Sequence, residues 1–300
     1  MKNTLSKSQG LSDRALTWLF VTPTILLLLA VNIYPLIYAI SMSFTNFYAN
    51  KPGREIKFIG LKNYIRILNK EDIWETMQAT AHFMFWTLLI QAIIGLGLAL
   101  LLKRNFKGSD ILTTLIVLPM MLSPAVVAVF WTYMYQPQSG IFNYIINYFF
   151  NFGEFTMIGD VKLAPGSIII VDTWMWTPFT MLICLAGLKS IPNYLYEAAE
   201  VDRANTFQQF LHITLPSVLP FLLLALLFRG IENFKMFDLV VELTGGGPGS
   251  TTELASINLK REAFEKWRTG YSSAFAVIMF VTIFGLGNIW VKVMNKVKEL

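Results

Sequence analysis

Cysteine is nearly absent: Cys184 stands alone in 300 residues. That excludes an intrachain disulfide and a cysteine-held metal cluster. Histidine is almost as scarce, with only His82 and His212, which argues against a zinc or haem site. Charge is thin at 14% of residues, and without a basic tract the formal net charge of +5 gives no nucleic-acid signature. Apolar sequence takes the place of charge. Hydrophobic residues make up 55% of the chain and the mean hydropathy is +0.54, whereas soluble domains sit nearer ~45–50% apolar. The excess gathers into long runs, the pattern of a polytopic membrane protein.

Six such runs lie at about 16–41, 80–102, 111–135, 166–188, 217–241 and 273–293. Each reaches the ~20 residues a bilayer helix needs, and lipid forces helix because it cannot satisfy open backbone groups. The expected fold is an all-α polytopic membrane protein of six transmembrane helices, one domain over residues 1–300. The tail 1–15 is polar and basic and reads as the lead into an uncleaved signal-anchor. An even span count puts both termini on one side. The compact basic groups Lys103, Arg104, Lys107 and Lys292, Lys296, Lys298 favour N-in, C-in. Pro119, Pro124 and Pro178 interrupt spans three and four as possible bending points.

Residues 189–216 form a polar insert between spans four and five, on the cytoplasmic side in this topology. Its centre reads EAAEVDRANTFQQFLHITLP, Glu197 to Pro216. The stretch NYLYEAAEVDRA favours helix, with Tyr194, Ala198 and Val201 as a short apolar face. A second short helix is expected through TFQQFLHI, and Pro216 opens the fifth span. Composition leaves two readings: a loop that seals the bundle, or a docking surface for a cytoplasmic partner.

Polar residues also fall inside the spans. The run from Ser217 to Phe228 is too short to cross a bilayer, so the fifth helix is expected to continue through RGIENFKMFDLVV. That places Arg229 near mid-membrane with Glu232 one turn on, and Asp172 lies inside the fourth span. Such groups face a cavity or each other. Arg229 pairs structurally with Asp172 or Glu232, or these residues line a polar translocation path. The chain has no paired carboxylates or metal cluster at a membrane face, so it is not read as an enzyme. It has no phosphate-binding G-x-x-x-x-G-K-[ST]; GGGPGSTT, Gly245 to Thr252, lacks the lysine and reads as a tight outer turn. A secondary solute transporter independent of ATP is the alternative, although no internal repeat is visible.

The insert resembles the EAA loop of binding-protein-dependent ABC importer permeases. FIGLKNYIRIL (58–68), GLGLALLLKR (95–104), LPMMLSPAVVAVFWTYMY (118–135), WTPFTMLICLAGLKSIP (176–192), FKMFD (234–238) and LTGGGP (243–248) are similar to the sugar branch, in the manner of the maltose-type first permease. The resemblance covers the chain from the first span onward. It implies a type I permease bundle in a cell membrane that couples to a separate ATPase through Glu197, Ala198, Ala199, Asp202, Arg203, Ala204, Ile213, Leu215 and Pro216. It implies a solute path along Asp172, Thr173, Trp176 and Phe179 before the loop, and Arg229, Asn233 and Met236 after it. Trp176 is equally readable as facing lipid or as interfacial packing. The implied partners are a second permease chain, two ATPase subunits that carry ATP and magnesium, and an extracytoplasmic solute-binding protein; this chain itself needs no cofactor. One position departs from the family: Arg203 stands where glycine is usual. Either the turn there is made with negative φ, or Arg203 contacts the partner.

Overall fold

The computed structural model describes residues 12–298 apart from 52, 54, 105, 151, 152 and 154, and only the backbone at 13, 150 and 298. Most of the tail expected at 1–15 lies outside them. The described residues contain no β-strand. In chain order the helices are α1 (Asp13–Ser43), α2 (Lys62–Leu68), α3 (Glu71–Lys103), α4 (Ser109–Val117), α5 (Pro124–Met134), α6 (Ile141–Phe150) and α7 (Ala164–Lys189). They continue as α8 (Asn193–Val201), α9 (Thr206–Gln209), α10 (Leu215–Phe234), α11 (Asp238–Thr244), α12 (Ala255–Lys260) and α13 (Thr269–Lys298).

Five helical runs are long and apolar enough to cross a membrane: 14–43, 71–103, 164–189, 206–234 and 269–297. The expected third span is not straight. Residues 109–121 and 124–134 meet at 98°, so the pair makes a sixth span only as a broken one. Proline explains the break. Ser123, ahead of Pro124, is pushed out of the helical region to ψ 136°, and Pro124 restarts the chain as the first residue of α5. Pro178, by contrast, sits within an unbroken α7.

The fifth span also differs from expectation. It ends at Phe234 rather than running to 241, and α11 follows as a separate helix after a break at Lys235–Phe237. The missing length comes from the other end, because the helical run begins at Thr206, ahead of Pro216. A π-helical turn at Phe210–Thr214 carries the chain through. Pro216 has no N–H and its ring crowds the carbonyl one turn back, so the helix widens there. Arg229 therefore lies in the last two turns of its helix and not at its midpoint.

Helices α3, α7 and α10 pack together at the centre, with α13 beside α10. Three apolar clusters fill the bundle. One joins the N-terminal half of α7 to α5, α11 and α12. The second joins the ends of α3 and α7 to the start of α10. The third joins α2, the start of α3 and the start of α13. Helix α1 touches mainly α13 and leaves Phe20, Leu26, Leu27 and Val31 exposed. An apolar helix that buries so little within its own chain is suited to lipid.

Close approach of α3 and α7 depends on Gly95. A Cβ there would lie 2.9 Å from Thr180 Cβ and 3.2 Å from the Met181 amide nitrogen, while Gly97 has open space. Gly95→Val should lower the stability of the purified chain by ~1–3 kcal/mol, and Gly97→Ala should leave it unchanged or slightly raised. Thermal unfolding in detergent reads the difference.

Candidate functional site

The polar insert begins where α7 stops at Lys189. Pro192 caps α8, where its missing N–H costs nothing. Helix α8 ends in a two-bond closure. The Arg203 N–H donates to the Glu200 carbonyl at 3.0 Å and the Ala204 N–H to the Ala199 carbonyl at 2.8 Å. This closure needs a left-handed residue between its two bonds, and Arg203 supplies it with φ 54°. The expected alternative of a turn with negative φ is thus overturned. Glycine suits the position because left-handed φ costs other residues ~1–2 kcal/mol. Asn205 and Gln208 then cap α9 reciprocally, at 2.9 and 2.8 Å.

The structure gives the direction of the apolar face of α8, which the sequence left open. Tyr194 and Ala198 are exposed and Val201 is 83% exposed, so the predicted apolar face points away from the bundle. Leu195 and Tyr196 pack inward against the cluster of Ala99, Leu102 and Leu188, together with Ile213. Tyr196 makes the tie. Its hydroxyl accepts from Lys103 Nζ at 2.9 Å, shares a hydrogen bond with Thr214 Oγ1 at 2.9 Å, and its ring lies 4.2 Å beneath the Lys103 ammonium. Tyr196 and Thr214 were not singled out from sequence, and Lys103 only as a topology signal; the one available signal for the tie was a tyrosine just before Glu197. Glu197, Asp202, Arg203 and Pro216 are exposed, and Ala199, Ala204 and Leu215 are half-buried. Glu197 has no ion-pair partner among the described residues. His212 contacts the Gln208 carbonyl at 3.0 Å, and His82 meets the Trp86 ring edge-on.

Inside the bundle, Asp172 and Arg229 meet. Their relative exposures are 0% and 2%. Arg229 Nη2 lies 3.1 Å from both Asp172 carboxylate oxygens. It also donates to Asn233 Oδ1 at 2.5 Å, while Arg229 Nε donates to Gln91 Oε1 at 3.2 Å. Gln91 Nε2 returns a bond to Asp172 at 2.9 Å, and Asn233 Nδ2 donates to Thr87 Oγ1 at 2.6 Å. The Trp176 ring covers the guanidinium at 4.5 Å. Trp176 thus lies inside the bundle, not against lipid. Glu232, the other expected partner of Arg229, pairs instead with Lys235 at 3.0 Å.

The network links three helices: Thr87 and Gln91 from α3, Asp172 from α7, and Arg229 and Asn233 from α10. Sequence reasoning missed the α3 members. Their signal was there, since Thr76, Thr80, Thr87 and Gln91 recur at intervals of four and seven on one helix face. A buried charge pair survives only when its remaining hydrogen-bonding capacity is met, and these amides and hydroxyl meet it. Two neighbours are left over: Thr173 Oγ1 and Trp176 Nε1 are buried without a partner among the described residues. Thr173 lines a cavity of about 490 Å³ with Trp174, Thr177 and Ile90. Phe179 and Met236 are half-buried and do not join the network; Met236 packs against the α5–α7 cluster, and its carbonyl accepts from Ser256.

Residues 91–297 match the family of inner-membrane components of binding-protein-dependent transport systems. The chain belongs to that family. It is 32% identical, over 98% of each chain, to the trehalose/maltose transport system permease protein MalF of Thermococcus litoralis. It is 30% identical to the trehalose transport system permease protein SugA of Mycobacterium tuberculosis, over 94% of this chain and 89% of that one. Among solved structures, a bacterial ABC transporter involved in the import of the acidic polysaccharide alginate shares the fold. The TM-score is 0.82 at 22% identity, covering 95% of this chain and 97% of that one. The protein is therefore a multi-pass membrane permease subunit of an ABC importer, with the type I bundle. These relationships give the ATP-independent alternative no support.

The strained turn in this permease is directly testable. Arg203→Gly should raise the stability of the purified chain by up to about 1 kcal/mol, since glycine takes the left-handed conformation freely. A lower melting temperature in Arg203→Gly would show that the arginine side chain repays its strain within the chain.

Proposed function

We propose that this permease forms one half of an ATP-driven import path for a carbohydrate or polyol, beside a second, similar permease chain. ATP and magnesium belong in this reading to two copies of a separate ATPase, which the permease meets on the cytoplasmic side through residues 189–216. Both termini then lie on that side. An extracytoplasmic solute-binding protein delivers the cargo to the outer segments 44–77 and 245–272. The names of the trehalose/maltose and trehalose permeases support the cargo class.

The observation that carries the coupling role is the outward face of α8. Tyr194, Ala198 and Val201 are exposed there beside Glu197, which has no ion-pair partner among the described residues, while Leu195 and Tyr196 lock the opposite face to the bundle. An exposed apolar face of this kind, rimmed by charge, is the pattern of a docking surface. Ala198 and Ala199 permit close helix approach, Glu197 offers a carboxylate to a basic group, and Asp202, Arg203 and Ala204 fix where α8 ends. Ile213, Leu215 and Pro216 carry the displacement into the helical run 206–234, which reaches Arg229 without interruption. Closure of the ATPase pair on ATP then moves α8 as a lever, in a hinge-type transition.

Within the path, Asp172, Arg229 and Asn233 act as a self-satisfied wall. Thr173 and Trp176, whose side-chain polar atoms have no partner among the described residues, are the groups that meet sugar hydroxyls in this reading, and Trp176 also offers a ring face to a sugar ring.

Glu197→Lys combined with Ala199→Asp should abolish ATP-dependent uptake of radiolabelled disaccharide in cells that carry the whole importer. The variant should still insert at normal levels and lose the ATPase on mild detergent extraction. Unchanged uptake and unchanged ATPase recovery would end the docking assignment.

A further inference from the structure

At the opposite end of the bundle from the insert, a cavity of about 220 Å³ lies between α2, the start of α13 and the chain after α1. Its lining includes Lys62, Arg66, Arg268 and Tyr271. Lys62 and Arg66 are one turn apart on α2 and share a face, an arrangement in which like charges repel. Neither has an ion-pair partner among the described residues. Arg268 has one: Glu262, at 3.2 Å. Glu262 is fully buried and divides its single charge among Arg268, Lys266 at 2.7 Å and Lys70 at 3.9 Å. The cavity therefore keeps a net positive charge. Tyr271 adds a further demand, because it is 5% exposed and its hydroxyl has no hydrogen-bond partner among the described residues.

Two like charges in register, a third cation only partly neutralised and an orphaned buried hydroxyl around one cavity are together suited to a tetrahedral oxyanion with several acceptor oxygens. The position of the cavity says which one. Span α1 ends at Ser43 and span α13 begins at Thr269, so the cavity sits where two apolar spanning helices end on the same side of the bundle. Beside the cationic face of α2, Leu61, Ile65 and Leu68 are exposed at helical spacing. A free anion has no use for that apolar strip; an acyl chain does. We propose that this cavity binds the phosphate of an anionic phospholipid head group, with an acyl chain against Leu61, Ile65 and Leu68. On this side of the bundle the pocket's own cations, through charge-assisted hydrogen bonds to the phosphate oxygens, supply the attraction.

The test is native mass spectrometry of the full chain titrated with phosphatidylglycerol. The wild-type chain should retain one lipid, and Lys62→Ala with Arg66→Ala should weaken its binding about tenfold or more. Lys62→Arg with Arg66→Lys should keep it, since charge is conserved. Tyr271→Phe should weaken binding a few-fold with an unchanged melting temperature, which separates lost contact from lost fold. Diacylglycerol with the same chains should bind all variants equally weakly. Equal phosphatidylglycerol affinity in the wild type and the double alanine variant would overturn the assignment. So would displacement of the lipid by inorganic phosphate alone, which would make this a free-anion site.

Discussion

One ion pair, Asp172 with Arg229, holds the centre of this permease together. It joins α7 to α10 across an apolar bundle and recruits α3 through Gln91 and Thr87. Charges there have little water to fall back on, so each must find its partners within the protein. Here they do: both carboxylate oxygens, the guanidinium and two amides are used in bonds to one another, and Trp176 closes over the top. Removing one member would strand the others, which makes the network all-or-none. That property suits a bundle that must exist in discrete arrangements and not drift between them.

The network is also connected to the polar insert through continuous helices. The helical run 206–234 starts inside the polar insert and ends just past Arg229. Tyr196 binds α8 to the end of α3 through Lys103 and to the base of that run through Thr214. Helix α3 carries Gln91 further along. In the coupling proposed above, a displacement of α8 reaches the ion pair along both helices. Both contribute to the same five-residue network. The π-turn at Phe210–Thr214 lets this route pass Pro216 without a break.

Much of this was legible in the sequence. Five spans follow from length and hydropathy, because lipid leaves the backbone no choice. The pairing of Asp172 with Arg229 was one of two readings, and burial settled the geometry in its favour over Glu232. What was not legible depends on the backbone between periodic segments. The 98° break at Leu122–Ser123 lies just ahead of Pro124, and a proline alone does not announce a break, since Pro178 sits within an unbroken helix. The fifth span was extended in the wrong direction because Pro216 reads as a start signal, whereas a π-turn allows helix before it. The direction of the apolar face of α8 was not legible for a different reason: an apolar stripe says that something covers it, but not whether that is the parent chain. Gln91 and Thr87 lie far from Asp172 and Arg229 in sequence, and only the tertiary fold brings them there.

The central claim is that Asp172 and Arg229 serve each other and not the solute. The most direct measurement is a double-mutant cycle on the purified importer, with Asp172→Leu, Arg229→Met and the two combined, read by thermal unfolding and by solute-stimulated ATP hydrolysis. Each single variant should lose ~3–5 kcal/mol of stability because it leaves a buried charge unpaired, and the combined variant should regain most of it. ATP hydrolysis in the combined variant should still respond to solute. If Arg229→Met left stability unchanged while the response to solute disappeared, the arginine would be a solute ligand and the account given for the centre of the bundle would be wrong.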